Sequence, residues 1–202
     1  MADLRMDFLS SGDKTFIGRN VKAMASCIHD GSSRDKIREI MYLMNQRVPL
    51  VTDSSTEEKF NRTAEDILQD DSRHRNGCCD SATLFVALCR AKGIPAMQVI
   101  TLDLDSVERK HSFSTGHFFS ACFIVEEGGW VWLDSNRRSK SIDDVTFHPF
   151  DRNMDRIDER YLIFAKVRDY SDFELDGLRI DSIPNMIRIH QKVYEDYKGQ
   201  QR

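Results

Sequence analysis

The sequence predicts an α+β fold in which helices pack against a mostly antiparallel sheet. Apolar residues recur at helical spacing through the first half of the chain, whereas the second half contains short runs rich in apolar, β-branched and aromatic residues. No linker rich in Pro, Gly or Ser divides the two halves. Because helices followed by strands are typical of α+β domains, we expect residues 1–202 to form a single domain.

The first half contains four predicted helices, joined by polar loops. These helices span residues 20–28, 34–47, a short stretch around 64–68, and 80–92, with loops predicted over 52–62 and 70–77. Ser32, with Asp35 three residues later, forms a capping-box pattern in front of the second helix. Pro49 ends that helix, and Gly93-Ile94-Pro95 ends the fourth one.

The second half supplies the predicted strands and one further helix. The apolar runs that we interpret as strands cover residues 97–104, 118–126, 130–133 and 161–167. Pro184 occupies a position suited to the first turn of a helix over residues 185–197. Because the strands follow the helices and do not alternate with them, we expect a mostly antiparallel sheet.

Composition and charge exclude several classes of function. The chain has 40% hydrophobic and 31% charged residues, as soluble globular proteins do. Its net charge of −4 gives no general attraction to nucleic acid or to an anionic membrane. Its apolar stretches are too short to span a bilayer, and its first residues lack the apolar core of a signal peptide. We expect no nucleic-acid or membrane partner, and leave the oligomeric state open.

The cysteines indicate a reducing compartment. They are Cys27, Cys78, Cys79, Cys89 and Cys122. An odd number of cysteines in apolar surroundings argues against a disulfide framework, and no CxxC pair is present to hold zinc. We therefore expect a cytoplasmic protein, with a strained disulfide between Cys78 and Cys79 as a minor alternative.

One cysteine lies where a nucleophile would be expected. Cys78 follows Asn76-Gly77 and precedes the predicted helix over residues 80–92. A thiol at a helix N-terminus lies at the positive end of the helix dipole, and free amide hydrogens there stabilise a thiolate. The same amides could stabilise the oxyanion that forms when the thiolate attacks a carbonyl. The competing interpretation is a small buried side chain, which is the usual role of a single cysteine.

The segment around this cysteine resembles the nucleophile segment of the transglutaminase-like superfamily. In that family a cysteine opens a helix, an acidic residue and an alanine follow two and four positions later, and the helix closes with an arginine and a Gly-Ile-Pro-Ala turn. The matching residues here are Cys78, Asp80, Ala82, Arg90 and residues 93–96. Cys79 would place each later residue one position short. Asn76 departs from the pattern, because the family usually has glycine there.

Two further segments extend the resemblance over residues 63–136. The family has a histidine that opens a strand, and an aspartate that follows a tryptophan on the next strand. His117 opens the predicted strand with Phe118 and Phe119, and Asp134 follows the Trp130–Leu133 run. Phe119 and Ala121 stand where the family commonly has tryptophan and glutamate, which affects packing more than chemistry.

The resemblance implies a papain-like core and a Cys-His-Asp triad. Cys78 would be the nucleophile, His117 the general base, and Asp134 the group that orients the imidazole. It also implies a thiol-dependent hydrolase, either a protease or an amidase, which acts on a protein or peptide substrate through a thioester and needs no cofactor. We keep two alternatives: a protein-glutamine acyltransferase or deamidase, and a non-catalytic interaction module on the same fold. The chain lacks room for the additional β-domains and calcium sites of animal transglutaminases, which favours hydrolysis.

Weaker candidates have simpler structural explanations. His74 with Cys78 and Cys79 suggests a metal site but lacks a second pair of ligands. The other candidates are His111 and His148 as residues beside the cleft, Trp130 and Trp132 as core or a substrate wall, Arg137-Arg138-Ser139-Lys140 as a basic loop, and Asn45 or Gln46 as an oxyanion donor. Between Asn45 and Gln46 the sequence does not decide.

Overall fold

The structure is a computed structural model that describes residues 7–51, 60–69, 74–138 and 141–201. Parts of three predictions lie outside these residues: the loop over 52–62, the turn over 70–77, and the last two positions of the basic segment 137–140. Within the described residues, the mixed fold of helices and an antiparallel sheet confirms the predicted α+β class.

Helices dominate the first half of the described chain. The helices are α1 (Arg19–Ala25), α2 (Ser33–Arg47), α3 (Ala64–Gln69), α4 (Cys78–Ala91), α5 (Leu104–Lys110) and α6 (Ile183–Gln200). The hydroxyl of Ser32 accepts a hydrogen bond from the Asp35 amide, which confirms the predicted cap of α2. Helix α4 begins at Cys78, two residues earlier than the pattern of apolar residues indicated.

The strands form one large sheet and a small hairpin. They are β1 (Ala96–Asp103), β2 (Gly116–Ile124), β3 (Gly129–Leu133), β4 (His148–Pro149), β5 (Arg156–Ile157), β6 (Tyr161–Val167), β7 (Glu174–Leu175) and β8 (Leu178–Arg179). The large sheet has the order β4-β3-β2-β1-β6-β5, and every neighbouring pair is antiparallel. The four predicted strands are therefore confirmed, in positions that place β1 at the centre.

Helix α4 lies at the centre of the molecule against this sheet. Every residue from Cys79 to Arg90 is buried, and β1 is buried along its whole length. The apolar core is continuous from α1 and α2 through α4 to the ends of β2 and β3. Burial on all sides explains why α4 is apolar on a broad face. It also fixes the start of the helix rigidly beside the sheet.

Two local features differ from the sequence predictions. The strand predicted to end at residue 104 ends at Asp103, whose side chain accepts a hydrogen bond from the Ser106 amide and begins α5. The predicted strands 118–126 and 130–133 each start earlier, at Gly116 and Gly129. Among the described residues, no helix is long and apolar enough to cross a membrane.

Candidate active site

Cys78 is presented by a sharp turn at the start of α4. Gly77 forms the N-cap with φ of 85° and ψ of −160°, a conformation that is essentially restricted to glycine. This turn leaves Cys78 half-buried, whereas Cys79 beside it is buried. The Asn76-Gly77 segment that precedes the nucleophile candidate thus enters the helix through one defined backbone conformation.

Asp80 holds the segment in front of Cys78 in place. One of its carboxylate oxygens accepts hydrogen bonds from the Asn76 amide at 2.8 Å and from the Arg62 guanidinium at 2.9 Å. The same Arg62 nitrogen also donates to the His74 carbonyl at 3.1 Å. Burial raises the pKa of Asp80 despite these partners. The acidic residue of the sequence motif therefore acts on the backbone that leads to the cysteine.

His117 and Asp134 meet because they lie on adjacent antiparallel strands. Ser120 of β2 pairs with Leu133 of β3, so the start of β2 lies beside the residues that follow β3. The His117 Nε2 and the Asp134 Oδ1 are 2.9 Å apart. The Asn136 amide donates to the same oxygen at 2.9 Å and fixes the carboxylate. The second ring nitrogen, Nδ1, remains for the thiol.

The Cys78 thiol and the His117 imidazole line the same cavity, and each shifts the pKa of the other. Burial alone raises the thiol pKa, but a hydrogen bond and charge from His117 and the Phe118 amide lower it below its ordinary value. Burial also opposes protonation of His117, yet its bonds to Asp134 and Cys78 raise the pKa of His117 to about 10. Both shifts favour a thiolate and an imidazolium at neutral pH.

The other buried cysteines have pKa values that are raised, not lowered. Burial raises the pKa of Cys79, Cys89 and Cys122, and no imidazole offsets this effect. All five cysteines are free, so Cys78 and Cys79 form no vicinal disulfide. Of the two adjacent cysteines, Cys78 is thus the half-buried one with a lowered pKa, and its role as nucleophile stays a prediction.

A buried arginine that the sequence analysis did not single out links the parts of the site. Arg75 is fully buried and donates to the Ser135 carbonyl at 3.2 Å, to the Val48 carbonyl at 2.8 Å and to Asn45 Oδ1 at 2.9 Å. Ser135 directly follows Asp134, so Arg75 ties the aspartate loop to the segment before Cys78. Burial lowers the pKa of Arg75 to about 10. In the sequence it is only one charge in a polar stretch.

Two cavities lie on either side of His117. The first, about 160 Å³ in volume, contains Cys78 and is bounded by α6. The second, about 240 Å³, contains Asp134 together with Trp132, His148 and Arg137. The ring of His148 stacks on Trp132 with centroids 4.2 Å apart. Trp132 therefore forms a wall beside the site, whereas Trp130 packs against Phe8 and Phe123.

The remaining sequence candidates do not join the site. Asn45 uses its amide group to contact the Met41 carbonyl and Arg75. Gln46 is exposed, and neither residue is among those lining the cavity around Cys78. His111 is exposed at the end of α5. Over the residues that the structure describes, no group of three or more His, Cys, Asp or Glu side chains could hold a metal ion.

Comparison with known proteins finds a matching family model and a solved structure of similar fold. Residues 22–135, more than half of the chain, match the family model described as "Transglutaminase-like superfamily". A crystal structure from Cytophaga hutchinsonii, described as a "putative cysteine protease", is similar with a TM-score of 0.55 and 19% identity. The similarity covers 85% of this chain and 50% of that one, so the chain spans about half the length of that protein. No curated protein matches the chain.

Proposed function

The chain belongs to the transglutaminase-like superfamily, and from this premise we propose that it is a thiol-dependent hydrolase of peptide or side-chain amide bonds. Membership of the family supports a cysteine-dependent enzyme in general. The observation that carries the specific proposal is the position of His117, which is hydrogen-bonded to Asp134 and lines the same cavity as the Cys78 thiol, whose pKa it lowers. We assign Cys78 as nucleophile, His117 as base and Asp134 as the orienting group.

The reaction begins with proton transfer from Cys78 to His117 Nδ1. The thiolate attacks the carbonyl carbon, and the resulting oxyanion accepts hydrogen bonds from the amides at the start of α4. When the tetrahedral intermediate collapses, the C–N bond breaks and the imidazolium protonates the leaving amine or ammonia. Asp134 stabilises the imidazolium charge throughout this step. The product is a thioester between the acyl group and Cys78.

Hydrolysis of the thioester completes the cycle. His117 takes a proton from a water molecule, the resulting hydroxide attacks the thioester carbonyl, and Cys78 leaves as a thiolate. The Cytophaga hutchinsonii protein, which shares the fold, is described as a "putative cysteine protease", and our proposal places hydrolysis before transfer in line with that description. We include in the proposal a protein or peptide substrate, no cofactor, and a cytoplasmic location, the last because all five cysteines are free.

The thioester is the intermediate to test first. The protein is mixed with p-nitrophenyl acetate, and peptide mapping by mass spectrometry locates any acetyl group. We expect a burst of p-nitrophenolate equal to the enzyme concentration, with the acetyl group on Cys78. Acetylation of lysines alone, with the same result in Cys78→Ala, would contradict the assigned nucleophile.

A second measurement separates hydrolysis from acyl transfer. Glutamine-containing peptides are incubated in water labelled with heavy oxygen, with and without methylamine. A hydrolase incorporates heavy oxygen into the product acid and leaves methylamine unused. Dominant incorporation of methylamine would instead favour the acyltransferase reading. A non-catalytic module would give neither product and no burst.

A further inference from the structure

Helix α6 supplies one wall of the cavity around Cys78 and lies outside the residues matched by the family model. Ile183, Met186 and His190 of this helix line the cavity. The helix spans Ile183–Gln200, whereas the family match ends at residue 135. Whatever controls the docking of α6 therefore controls one side of the cavity that contains the thiol.

Helix α6 is held to the rest of the protein by few buried side chains. Of its 18 residues, only Met186, Ile189 and His190 are buried, whereas every residue of α4 from Cys79 to Arg90 is buried. An element with few buried contacts opens at a lower free energy than the whole protein unfolds. Undocking of α6 is therefore a local event that leaves α4 and the sheet folded.

His190 lies within this small contact and is fixed in one neutral tautomer. Its Nδ1 lies 2.7 Å from the Phe113 carbonyl, which can only accept, so Nδ1 carries the proton and Nε2 carries a lone pair. His190 is 1% exposed, and Nε2 is buried without a hydrogen-bond partner within the described part of the chain. A Cβ atom added to Gly116 would stand 2.9 Å from Nε2, so this nitrogen lies directly against the backbone of β2. The docked ring has a partner for one proton and none for a second.

A positive charge on the docked ring would have no nearby counter-charge. The ring packs against Phe164 of β6, with centroids 5.6 Å apart, and against Gly116 of β2. A charge buried without a partner is costly. Burial accordingly lowers the pKa of His190 below its ordinary value of 6.5, although the hydrogen bond to the Phe113 carbonyl acts in the opposite direction.

The titratable groups around His190 do not change this conclusion. Those that line the same cavity or pack on Phe113 are Cys78, Cys79, His117 and Tyr194. A thiolate at Cys78 and an imidazolium at His117 together carry no net charge. Among the residues that the structure describes, no Asp, Glu, Lys or Arg side chain lines the cavity.

The direction of the pH dependence follows from these contacts. In the undocked helix His190 is in water and takes up a proton near its ordinary pKa of about 6.5, whereas in the docked helix it stays neutral to lower pH. Docking is therefore most favourable above about pH 6.5 and weakens as pH falls below that value. Each further pH unit raises the ratio of undocked to docked helix by up to about tenfold, until the docked ring is itself protonated.

We propose that His190 is a pH-sensitive latch, which holds α6 over the Cys78 cavity at neutral pH and releases the helix in mildly acidic solution. Release removes Ile183 and Met186 from the cavity and leaves Cys78 and His117 in place, because α4 and β2 carry them. The release does not depend on the reaction of Cys78. Its effect on catalysis rests on the proposed function.

Hydrogen exchange of the full chain tests the release. Peptides are analysed by mass spectrometry at about pH 7.5 and about pH 5, and each rate is corrected for the intrinsic exchange rate at that pH. We expect the protection of α6 to fall about tenfold or more between the two pH values, and the protection of α4 to change much less.

Two histidine variants locate the proton. In His190→Asn the amide nitrogen can still donate to the Phe113 carbonyl, but the side chain does not titrate, so the protection of α6 should no longer fall with pH. The readout is a ratio between two pH values, so it remains valid if the variant docks α6 more weakly at both. His111→Asn is the matched control, because His111 is exposed at the end of α5, and this variant should keep the wild-type ratio.

Alkylation of Cys78 tests whether release opens the cavity. The thiolate displaces iodide from iodoacetamide and from the much larger pyrenyl iodoacetamide, and peptide mapping gives both rates. The ratio of the two rates cancels the thiolate fraction, because both reagents react with the same thiolate. A cavity of about 160 Å³ does not admit a pyrene, so the relative rate of the larger reagent should rise several-fold at the lower pH in the wild type and stay constant in His190→Asn.

The outcomes separate the latch from the proposed function. Protection of α6 that is equal at both pH values, or that falls as much in His190→Asn as in the wild type, would overturn the latch. A constant ratio of the two alkylation rates would overturn its link to the cavity. If Cys78 forms no thioester while the protection of α6 keeps its pH dependence, the proposed function fails and the latch stands.

Discussion

The two ends of helix α4 each carry a cysteine, and the two thiols have opposite electrostatic environments. Cys78 begins the helix, is half-buried, and has a pKa lowered by His117 and the Phe118 amide. Cys89 lies near the other end, is fully buried, and has its pKa raised by burial. Because burial acts on both thiols in the same direction, the difference comes from the His117 imidazole and the Phe118 amide, both on β2.

A buried arginine also accompanies each end of α4. Arg75 precedes the helix and Arg90 lies in its last turn, and burial lowers the pKa of each to about 10. Arg90 donates to the Phe8, Ala96 and Arg168 carbonyls, which join the N-terminal segment to the sheet. Arg75 instead binds the loop after Asp134. We infer that the first end serves both chemistry and stability, whereas the second serves stability alone.

Replacing each of the two cysteines by alanine, one at a time, should give the largest difference in activity between the two ends of α4. Cys78→Ala should reduce kcat/KM by about 10⁴-fold or more, because no other thiol lies against His117. Cys89→Ala should leave kcat/KM within about twofold and reduce the free energy of unfolding by roughly 1 kcal/mol through the small cavity that it creates. Amide hydrolysis and urea unfolding of both variants measure this contrast. A similar loss of activity in both variants would contradict the view that only the Cys78 end of α4 serves the chemistry.

Asp134→Asn tests the support of the imidazole. The amide of Asn can donate to His117 Nε2 and select the tautomer whose Nδ1 cannot take the thiol proton, so kcat should fall by about 10²–10⁴-fold. The pKa of His117, raised to about 10 in part by Asp134, should fall.

The pH dependence of iodoacetamide labelling tests the ion pair without a substrate, because only the thiolate reacts. In the wild type the protonated His117 lowers the pKa of Cys78, so labelling should persist below the ordinary pKa of a thiol. In Asp134→Asn the imidazolium loses a stabilising partner, so the rise in labelling should move to higher pH. An unchanged profile would show that Asp134 does not support the imidazolium.

Much of the fold and of the candidate site could be predicted because local patterns determine them. The apolar spacing behind Ser32 predicts α2, and the Gly93-Ile94-Pro95 turn marks the end of α4. The order of the Cys78, His117 and Asp134 segments, with their flanks, indicates residues that the structure brings to one place. Their roles in catalysis stay predictions until the variants are measured.

The contacts that the sequence does not reveal join distant segments. Arg75 and Ser135 are 60 residues apart, and His190 contacts Phe113 from a distance of 77 residues. No periodicity encodes such a pair, and a charged residue in a polar stretch is normally exposed. Helix α5 was missed for a different reason, because its 7 residues are too few for a clear helical pattern.

Replacing each arginine by methionine should show which of the two affects activity as well as stability. Arg75→Met and Arg90→Met each leave buried carbonyls without donors, so each should lower the free energy of unfolding by about 3–5 kcal/mol. Only Arg75→Met should also reduce kcat/KM, by about tenfold, because the Asp134 loop loses its anchor. Kinetics are measured at a temperature where both variants are folded, as judged by circular dichroism. Equal kcat/KM in the two variants would show that Arg75 acts on stability alone.

The two glycines that flank α4 provide the smallest and most local contrast. Gly77 has φ of 85° and Gly93 has φ of 75°, and a Cβ atom at either position would meet nothing within 4 Å. Substitution by alanine therefore adds backbone strain without a steric clash. The ψ of −160° at Gly77 lies in a region that alanine avoids, so Gly77→Ala should cost about 1–3 kcal/mol. Gly93→Ala should lower the free energy of unfolding by about 1 kcal/mol, which is the usual cost of a non-glycine residue in the left-handed region.

The activities of Gly77→Ala and Gly93→Ala should differ more clearly than their free energies of unfolding. Relief of strain at Gly77 would rotate the peptide before Cys78 and displace the thiol from His117, so kcat/KM and the iodoacetamide rate should each fall a few-fold. At Gly93 the same relief acts on the turn into β1, where the glycine amide donates to the Arg90 carbonyl at 2.9 Å, far from the thiol. Labelling rates of Cys78 in the two variants, measured at equal folded fraction, test the contrast. A slower rate in Gly93→Ala alone would show that the position of the thiol depends on the whole helix and not on its first turn.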